Sequence, residues 1–219
     1  MFTTNEGEKM KNKVLILIRL LVGFVFCASS TVLMLNSNLG LSPWDVFHQG
    51  ISRLSGITIG QASIVVSIVF VVIGAMLGQK LGIGTILNMI IIGKLIDVII
   101  ESSIIPVATN IISGIIMMVI GMLVMGFGCY LYIGCGLGCG PRDGVMMGIS
   151  KKVKKPIKYV RASMEVTVLT LGYMLGGDIG IGTIISAIGL GYSMQLMFKL
   201  LKFDIIKVKH KSFIEIISF

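Results

Sequence analysis

Long apolar stretches, broken at short intervals by Gly, Pro, Asn and charged residues, set the plan of this 219-residue chain. They run over about 14–35, 61–77, 83–100, 111–133, 162–175 and 181–200. Several reach about 18 residues, and at 1.5 Å per residue that suffices for a hydrocarbon core of roughly 30 Å. Each is therefore expected to be a transmembrane helix. The first is too long for the h-region of a signal peptide, roughly 7–15 residues, and is expected to be retained. A short polar cytoplasmic tail, 1–13, precedes it. A second tail, 201–219, mixes Lys with Phe, Ile and Val and is expected in the cytoplasm, either as an amphipathic surface segment or solvated.

The pattern then repeats. Leu39-Gly40-Leu41-Ser42-Pro43-Trp44-Asp45, running on to Gly50-Ile51-Ser52, returns 98 residues later as Leu137-Gly138-Cys139-Gly140-Pro141-Arg142-Asp143, running on to Gly148-Ile149-Ser150. Gly82-Ile83-Gly84-Thr85 meets Gly180-Ile181-Gly182-Thr183 at the same offset. Ala62-Ser63 matches Ala162-Ser163 at an offset of 100, which implies two extra residues between the second motif and the run that follows it. The repeats span 14–101 and 111–200. Three long runs in each is an odd number, so the copies enter the membrane from opposite sides.

That count requires the motif segments not to cross. Ten residues from Pro43 reach only about 15 Å, half the core, and they carry Asp45, His48 and Gln49. The expected fold class is an all-α membrane protein of six transmembrane helices plus two short re-entrant or interfacial half-helices, an inverted 3+3 repeat. Placing the N-terminus inside puts Lys80, the basic stretch 151–161 and the C-terminal lysines in the cytoplasm, and leaves Arg53 alone outside. In the competing arrangement the motif helices cross fully, giving eight spans and parallel repeats, and Lys80 is exported.

Composition agrees: 55% hydrophobic residues, 13% charged and a mean hydropathy of +0.97 lie outside the range of soluble domains. The net charge of +9 is read as orienting the chain and attracting anionic lipid head groups, not nucleic acid. Cys27, Cys129, Cys135 and Cys139 contain no C-x-x-C pair and are read as small apolar residues, with a redox or soft-metal role open for Cys135 and Cys139. There is no phosphate-binding Gly-rich motif, no H-E-x-x-H and no Ser/His/Asp set, and the only histidines are His48 and His210. No cofactor, metal or enzymatic activity is expected.

The motifs carry the candidate chemistry. Ser42 is a capping residue, Pro43 suits the first helical position, and Asp45 sits at the third, a capping box with Asp in the acid's place. In the second copy Gly140, Pro141 and Asp143 take those places. The aspartates could simply satisfy orphan amides and complement the helix dipole. Alternatively, two half-helix N-termini point to the midplane, offering N–H groups to an anion and carboxylates to a cation or proton. Trp44 and Arg142 are equivalent positions and the sharpest difference between copies. Trp44 is an interfacial anchor or a stacking surface; Arg142 is an orienting charge or an anion-binding group. Lys94 and Asp97, three apart, are expected to pair on one helix face, either neutralising each other or relaying protons. Glu165, beside the basic stretch, is read as an interfacial acid.

The segments Gly-Leu-Ser-Pro-Trp-Asp-Val at 40–46 and Gly-Cys-Gly-Pro-Arg-Asp-Gly at 138–144, with the paired Gly-Ile-Gly-Thr turns, resemble the bacterial YczE/YyaS/YitT-like membrane proteins. The resemblance covers most of 14–200. It implies a small multi-pass protein of the bacterial plasma membrane, without a settled substrate; the soluble domain that some YitT-type relatives carry is not expected in this sequence, which ends soon after the last apolar run. The expected function is a small secondary transporter or channel-like permease for an ion or small solute, with a dimer as one possible assembly. The alternative is an accessory or scaffold protein that docks a partner through its basic loop.

Overall fold

The computed structural model describes residues 3–79, 82–138, 140–155 and 157–203. Among them the chain is wholly helical: α1 (Thr3–Leu35), α2 (Pro43–Ser55), α3 (Ile59–Met76), α4 (Ile83–Ser102), α5 (Ile111–Ile133), α6 (Pro141–Val153), α7 (Ile157–Met174) and α8 (Ile181–Leu200). Five helices are long and apolar enough to cross a membrane, namely α3, α4, α5, α8 and the part of α1 from Lys13 to Leu35. α7 is not among them, since Lys158, Arg161 and Glu165 fall in its first half. α1 begins at Thr3, so most of the expected polar tail is helical. The second tail from residue 204 lies outside the described residues.

The duplication is more regular than the sequence suggested. α2, α3 and α4 match α6, α7 and α8 end to end at 98 residues. The expected two-residue insertion is absent, and Ala62 and Ser63 correspond to Val160 and Arg161. Left-handed C-caps at Gly56 and Lys154 stop the two half-helices at the same register, which overrides the Ala-Ser similarity.

Helices α1 and α5 form the centre and run antiparallel. Ser30 Oγ donates to the Gly121 carbonyl at 2.7 Å, with Gly23 against Gly128 and Tyr132 toward one end and Gly114 against Ser37 at the other. α4 packs on α1 as α8 packs on α5, and α2 packs on α7 as α6 packs on α3. Each half-helix thus leans on a helix of the other repeat. Large apolar side chains such as Val72, Ile112 and Ile116 face outward, while Ser30, Ser63, Ser67 and Ser186 are buried. That inversion suits a lipid solvent, in which small polar residues mediate close helix contacts.

One pair breaks the symmetry. α3 packs on α4, whereas α7 and α8 make no comparable contact. Gly60 and Gly93 let α3 and α4 approach closely, since a Cβ on Gly93 would lie 2.7 Å from the Gly60 carbonyl. Asp97 then secures the crossing, accepting from Thr58 Oγ1 at 2.5 Å and from the Gly60 amide at 2.8 Å. Lys158, Gly191 and Gln195 replace Gly60, Gly93 and Asp97 in the second copy, and Gly191 faces open space. Gly93→Ala is accordingly expected to destabilise by about 1–3 kcal/mol through overpacking. Gly191→Ala should stay within about 0.5 kcal/mol of the parent in thermal unfolding of the solubilised protein.

Candidate functional site

The paired motifs and the paired Gly-Ile-Gly-Thr turns are parts of one device. The Leu39 carbonyl accepts from the Gly182 amide at 2.7 Å, and the Leu137 carbonyl accepts from the Gly84 amide at 2.8 Å. Each motif therefore docks on the helix start of the opposite repeat. Close approach and chain direction both demand glycine: Gly40 has φ +107° and Gly138 φ +129°. A Cβ on Gly40 would lie 2.5 Å from the Gly180 nitrogen. Docked in this way, the N-termini of α2 and α6 turn inward and meet.

They meet in a cavity of about 230 Å³ to which all eight helices contribute. Ser42, Pro43, Trp44 and Asp45 line one side, and Gly140, Pro141, Arg142 and Asp143 another. The remaining wall keeps much of the two-fold relation, with Asn88 opposite Ser186, Ile92 opposite Leu190 and Thr31 opposite Cys129. The symmetry fails where chemistry enters. Trp44 corresponds to Arg142, Ser63 to Arg161 and Ser67 to Glu165. Arg161 and Glu165 pair with each other at 3.0 Å and are 46% and 25% exposed, so they form an accessible edge of the cavity.

A polar row crosses the junction. Ser42 Oγ accepts from the Asp45 amide at 3.4 Å and donates to Asp45 Oδ2 at 2.5 Å, the capping role its position foretold. Asp45 Oδ1 stands 3.6 Å from Nδ1 of His48, one helical turn on. Arg142 Nη2 lies 3.3 Å from His48 Nε2. A guanidinium only donates, so Nε2 accepts and the ring proton of a neutral His48 sits on Nδ1, toward Asp45. Arg142 Cζ lies over the Trp44 ring, 4.3 Å from its centre, and Trp44 meets the Phe70 ring edge-on at 5.1 Å. Trp44 thus forms part of the cavity wall.

A model of a family of unknown function, DUF6198, matches residues 14–199. The chain belongs to that family. It is 38% identical over 169 residues to an uncharacterized protein of Haemophilus influenzae, covering 77% of each chain. It is 37% identical over 158 residues to the uncharacterized membrane protein YczE of Bacillus subtilis, covering 72% of this chain and 73% of that one. A further relative, the uncharacterized protein YyaS of Bacillus subtilis, is 26% identical over 172 residues, covering 75% of this chain and 83% of that one. No solved structure matches. A relative named as a membrane protein, together with five long apolar helices, makes this DUF6198 chain a multi-helix membrane protein.

Within the DUF6198 chain, four of the six candidate residues converge and two do not. Asp45, Asp143, Arg142 and Trp44 line the cavity; Lys94 and Asp97 do not. The expected Lys94–Asp97 pair is replaced by the Asp97 bonds to Thr58 and Gly60, and Lys94 faces outward. An acceptor at a helix start draws two short donors more readily than a long lysine one turn away. Cys27 and Cys129 line the cavity, while Cys139 lies outside the described residues. His48 was missed as part of the site. Its signal was present, three residues after Asp45 and so on the same helix face, but nothing in the sequence placed Arg142 beside it.

Arg53, expected alone on its side, has a partner. It forms a fork with Asp178 at 2.9 and 2.6 Å and also donates to the Gly176 carbonyl at 2.6 Å. Gln49 bonds both the Asp178 side chain and its amide. The corresponding residues near α6 are Lys151 and Lys80, two cations, with Lys80 outside the described residues. The Arg53 hydrogen bond holds the Asp178 carboxyl below its ordinary range against the opposing effect of burial, with the Arg53 charge and Gln49 adding to the lowering. A depressed folded value means that the clasp contributes fully above the unfolded carboxyl's range, and that this is lost as pH falls through the lowered value. Asp178→Asn should flatten the acid limb of the melting temperature against pH below about pH 4. The effect will be small, because both side chains are half exposed.

Proposed function

We propose that this protein is a small permease whose path runs through the cavity where α2 and α6 meet, carrying an ion or small solute across the bacterial plasma membrane. The observation that carries the reading is the meeting of two half-helix N-termini, one from each repeat, in a single partly polar cavity. Irregular backbone at membrane depth is tolerated where it lines a cavity, and half-helix ends are the usual ligands of such sites. Asp45 and Asp143 supply carboxylates there, and intramembrane carboxylates mark ion and solute pathways by default.

The arrangement that goes with it is six spans, with α2 and α6 re-entrant. The half-helices have 13 residues each, about 20 Å, against a core of roughly 30 Å. α1 and α5 pack antiparallel, and a two-fold axis relating antiparallel helices lies across them, in the membrane plane. That supports inverted repeats. With the N-terminus inside, the exposed Lys151, Lys152, Lys154 and Lys155 face the cytoplasm and its anionic lipids.

Single cysteines on a Cys-free background test the topology. Positions 53 and 101 should label only from outside, and 80 and 155 only from inside; external labelling at 80 would instead support eight parallel spans. Purified protein in liposomes tests the activity: Asp45→Asn with Asp143→Asn should reduce flux at least tenfold. If no ion or solute moves under any gradient and the double variant complements in cells, the permease reading fails. A loop whose charge reversal abolishes function while both aspartates tolerate Ala would favour the scaffold reading.

A further inference from the structure

Sulfur is concentrated in the central cavity. Six methionines and two cysteines line it, whereas Leu, Ile, Val and Phe together supply only Leu190, Ile92 and Ile96. Elsewhere among the described residues those four types lead both the buried core and the outward faces. Methionine is a common filler of irregular gaps. A filler, however, does not displace branched and aromatic residues from most of a cavity wall, nor does it bring two buried cysteines with it.

Four of these sulfurs belong to one packed group. Cys27, Thr31 and Met34 share a face of α1, and Met125, Cys129 and Tyr132 share the equivalent face of α5, at the same helical spacing and the same 98-residue offset. Because the two helices run antiparallel, Cys27 is carried to the stretch of α5 that holds Cys129. A Cβ on Gly128, the residue before Cys129, would lie 2.8 Å from Cys27 Sγ. Both cysteines are free thiols, buried in one cluster, and Met125 and Met194 pack against it. Met194 comes from α8, whose backbone approaches closely here: a Cβ on Gly126 would stand 3.3 Å from the Met194 Cα.

Thiolate and thioether are soft donors, and together they select Cu(I) over ions that prefer oxygen. No three of His, Cys, Asp and Glu come together among the described residues, so the donor set of an ordinary zinc site is not gathered. The charges lining the cavity point the same way. Asp45, Asp143 and Glu165 stand against Arg142 and Arg161, which leaves one negative charge over and favours a cation. One Cu(I) exchanged for one thiol proton keeps that balance, whereas a divalent ion would add a buried charge. We propose that the cavity holds a soft-metal site in which Cys27 and Cys129 bind one Cu(I) ion and Met125 and Met194 complete its shell. The metal–sulfur bond forms as a thiol gives its proton to water, and neither copper nor sulfur changes oxidation state. Water reaches the cavity at the exposed Arg161–Glu165 edge. As a substrate, Cu(I) narrows the permease reading and rests on it; as a bound ion it does not.

Full-length protein in nanodiscs, kept anaerobic, is titrated with Cu(I) buffered by bicinchoninate. The parent should withdraw one equivalent per chain from the bicinchoninate complex, and X-ray absorption at the copper edge should show sulfur ligands alone. Cys27→Ser and Cys129→Ser should each weaken binding by about tenfold or more, since even an outer partner of a metal is worth that much. Met125→Leu with Met194→Leu should weaken it by about tenfold, with Trp44 emission, the chain's single tryptophan, confirming that the cavity persists. Cys135→Ser with Cys139→Ser should leave binding unchanged, because Cys135 Sγ donates instead to the carbonyls of Leu131 and Ile16. Zn(II) at equal free concentration should not displace the copper. The copper spectrum of the parent decides the matter where a serine variant fails to fold. A parent that leaves all copper with bicinchoninate, oxygen or nitrogen in the copper shell, or displacement by Zn(II) overturns the proposal. So does binding that survives loss of both cysteines or of both thioethers, or that requires Cys135 or Cys139. Copper bound without any flux in liposomes would overturn the permease reading and leave the site standing; flux of another ion or solute with no copper bound would do the reverse.

Discussion

Gly40→Ala will destabilise the protein by roughly 2–5 kcal/mol, among the largest losses expected of any single methyl group in the chain. About 1–2 kcal/mol comes from holding an L residue at positive φ, and about 1–3 from overpacking. Gly40 sits at φ +107°, and the added carbon would strike backbone: the Gly180 nitrogen at 2.5 Å and its Cα at 2.8 Å. Backbone cannot rotate away as a side chain can. Gly138→Ala should behave alike, at φ +129° and 2.6 Å from Thr85 Oγ1. Gly56→Ala separates the two contributions, because Gly56 has φ +75° but nothing around it, and it should cost only about 1–2 kcal/mol. Unfolding of the solubilised protein, followed by helix loss, measures all three. Equal losses at Gly40 and Gly56 would mean that the cross-repeat docking adds nothing to stability.

On the permease reading proposed above, Arg142→Lys is expected to reduce flux by tenfold or more although it conserves charge. Arg142 does two things at once, its Cζ standing over the Trp44 ring at 4.3 Å from the centre while Nη2 reaches His48. A lysine ammonium is a compact point charge on a flexible stem and cannot make both contacts at once. The stack alone is worth about 0.5–2 kcal/mol, and about 1.4 kcal/mol is a factor of ten. Liposome flux of the variant beside the parent, with Trp44 emission confirming that the cavity persists, checks the expectation. Unchanged flux would reduce Arg142 to an orienting charge.

How far the site was legible can be judged residue by residue. Ser42, Pro43 and Asp45 carry their helix-starting role in the local order of the chain, and capping is a local interaction, so sequence sufficed. The pairing of Asp45 with Asp143 as cavity residues followed from the 98-residue repeat, since equivalent segments of a duplication occupy equivalent places. Lys94 and Asp97 misled because helix spacing shows which side chains can meet, not which neighbour competes for them. The start of α3, 37 residues away in sequence from Asp97, was the better competitor. Arg53 and Asp178 are 125 residues apart, and no local pattern links them.

The sequence by itself determined a membrane protein built by duplication, with two half-length helices started by Ser-Pro and Gly-Pro, because hydropathy, length and capping act within a few turns of the chain. Only the tertiary structure decided that each motif docks on the opposite repeat's glycine turn, that α3 closes on α4 while α7 stands off α8, and that Arg142 is brought to His48. Those outcomes depend on backbone surfaces close enough to touch only where neither carries a side chain, and that complementarity between distant segments exists once the helices have packed.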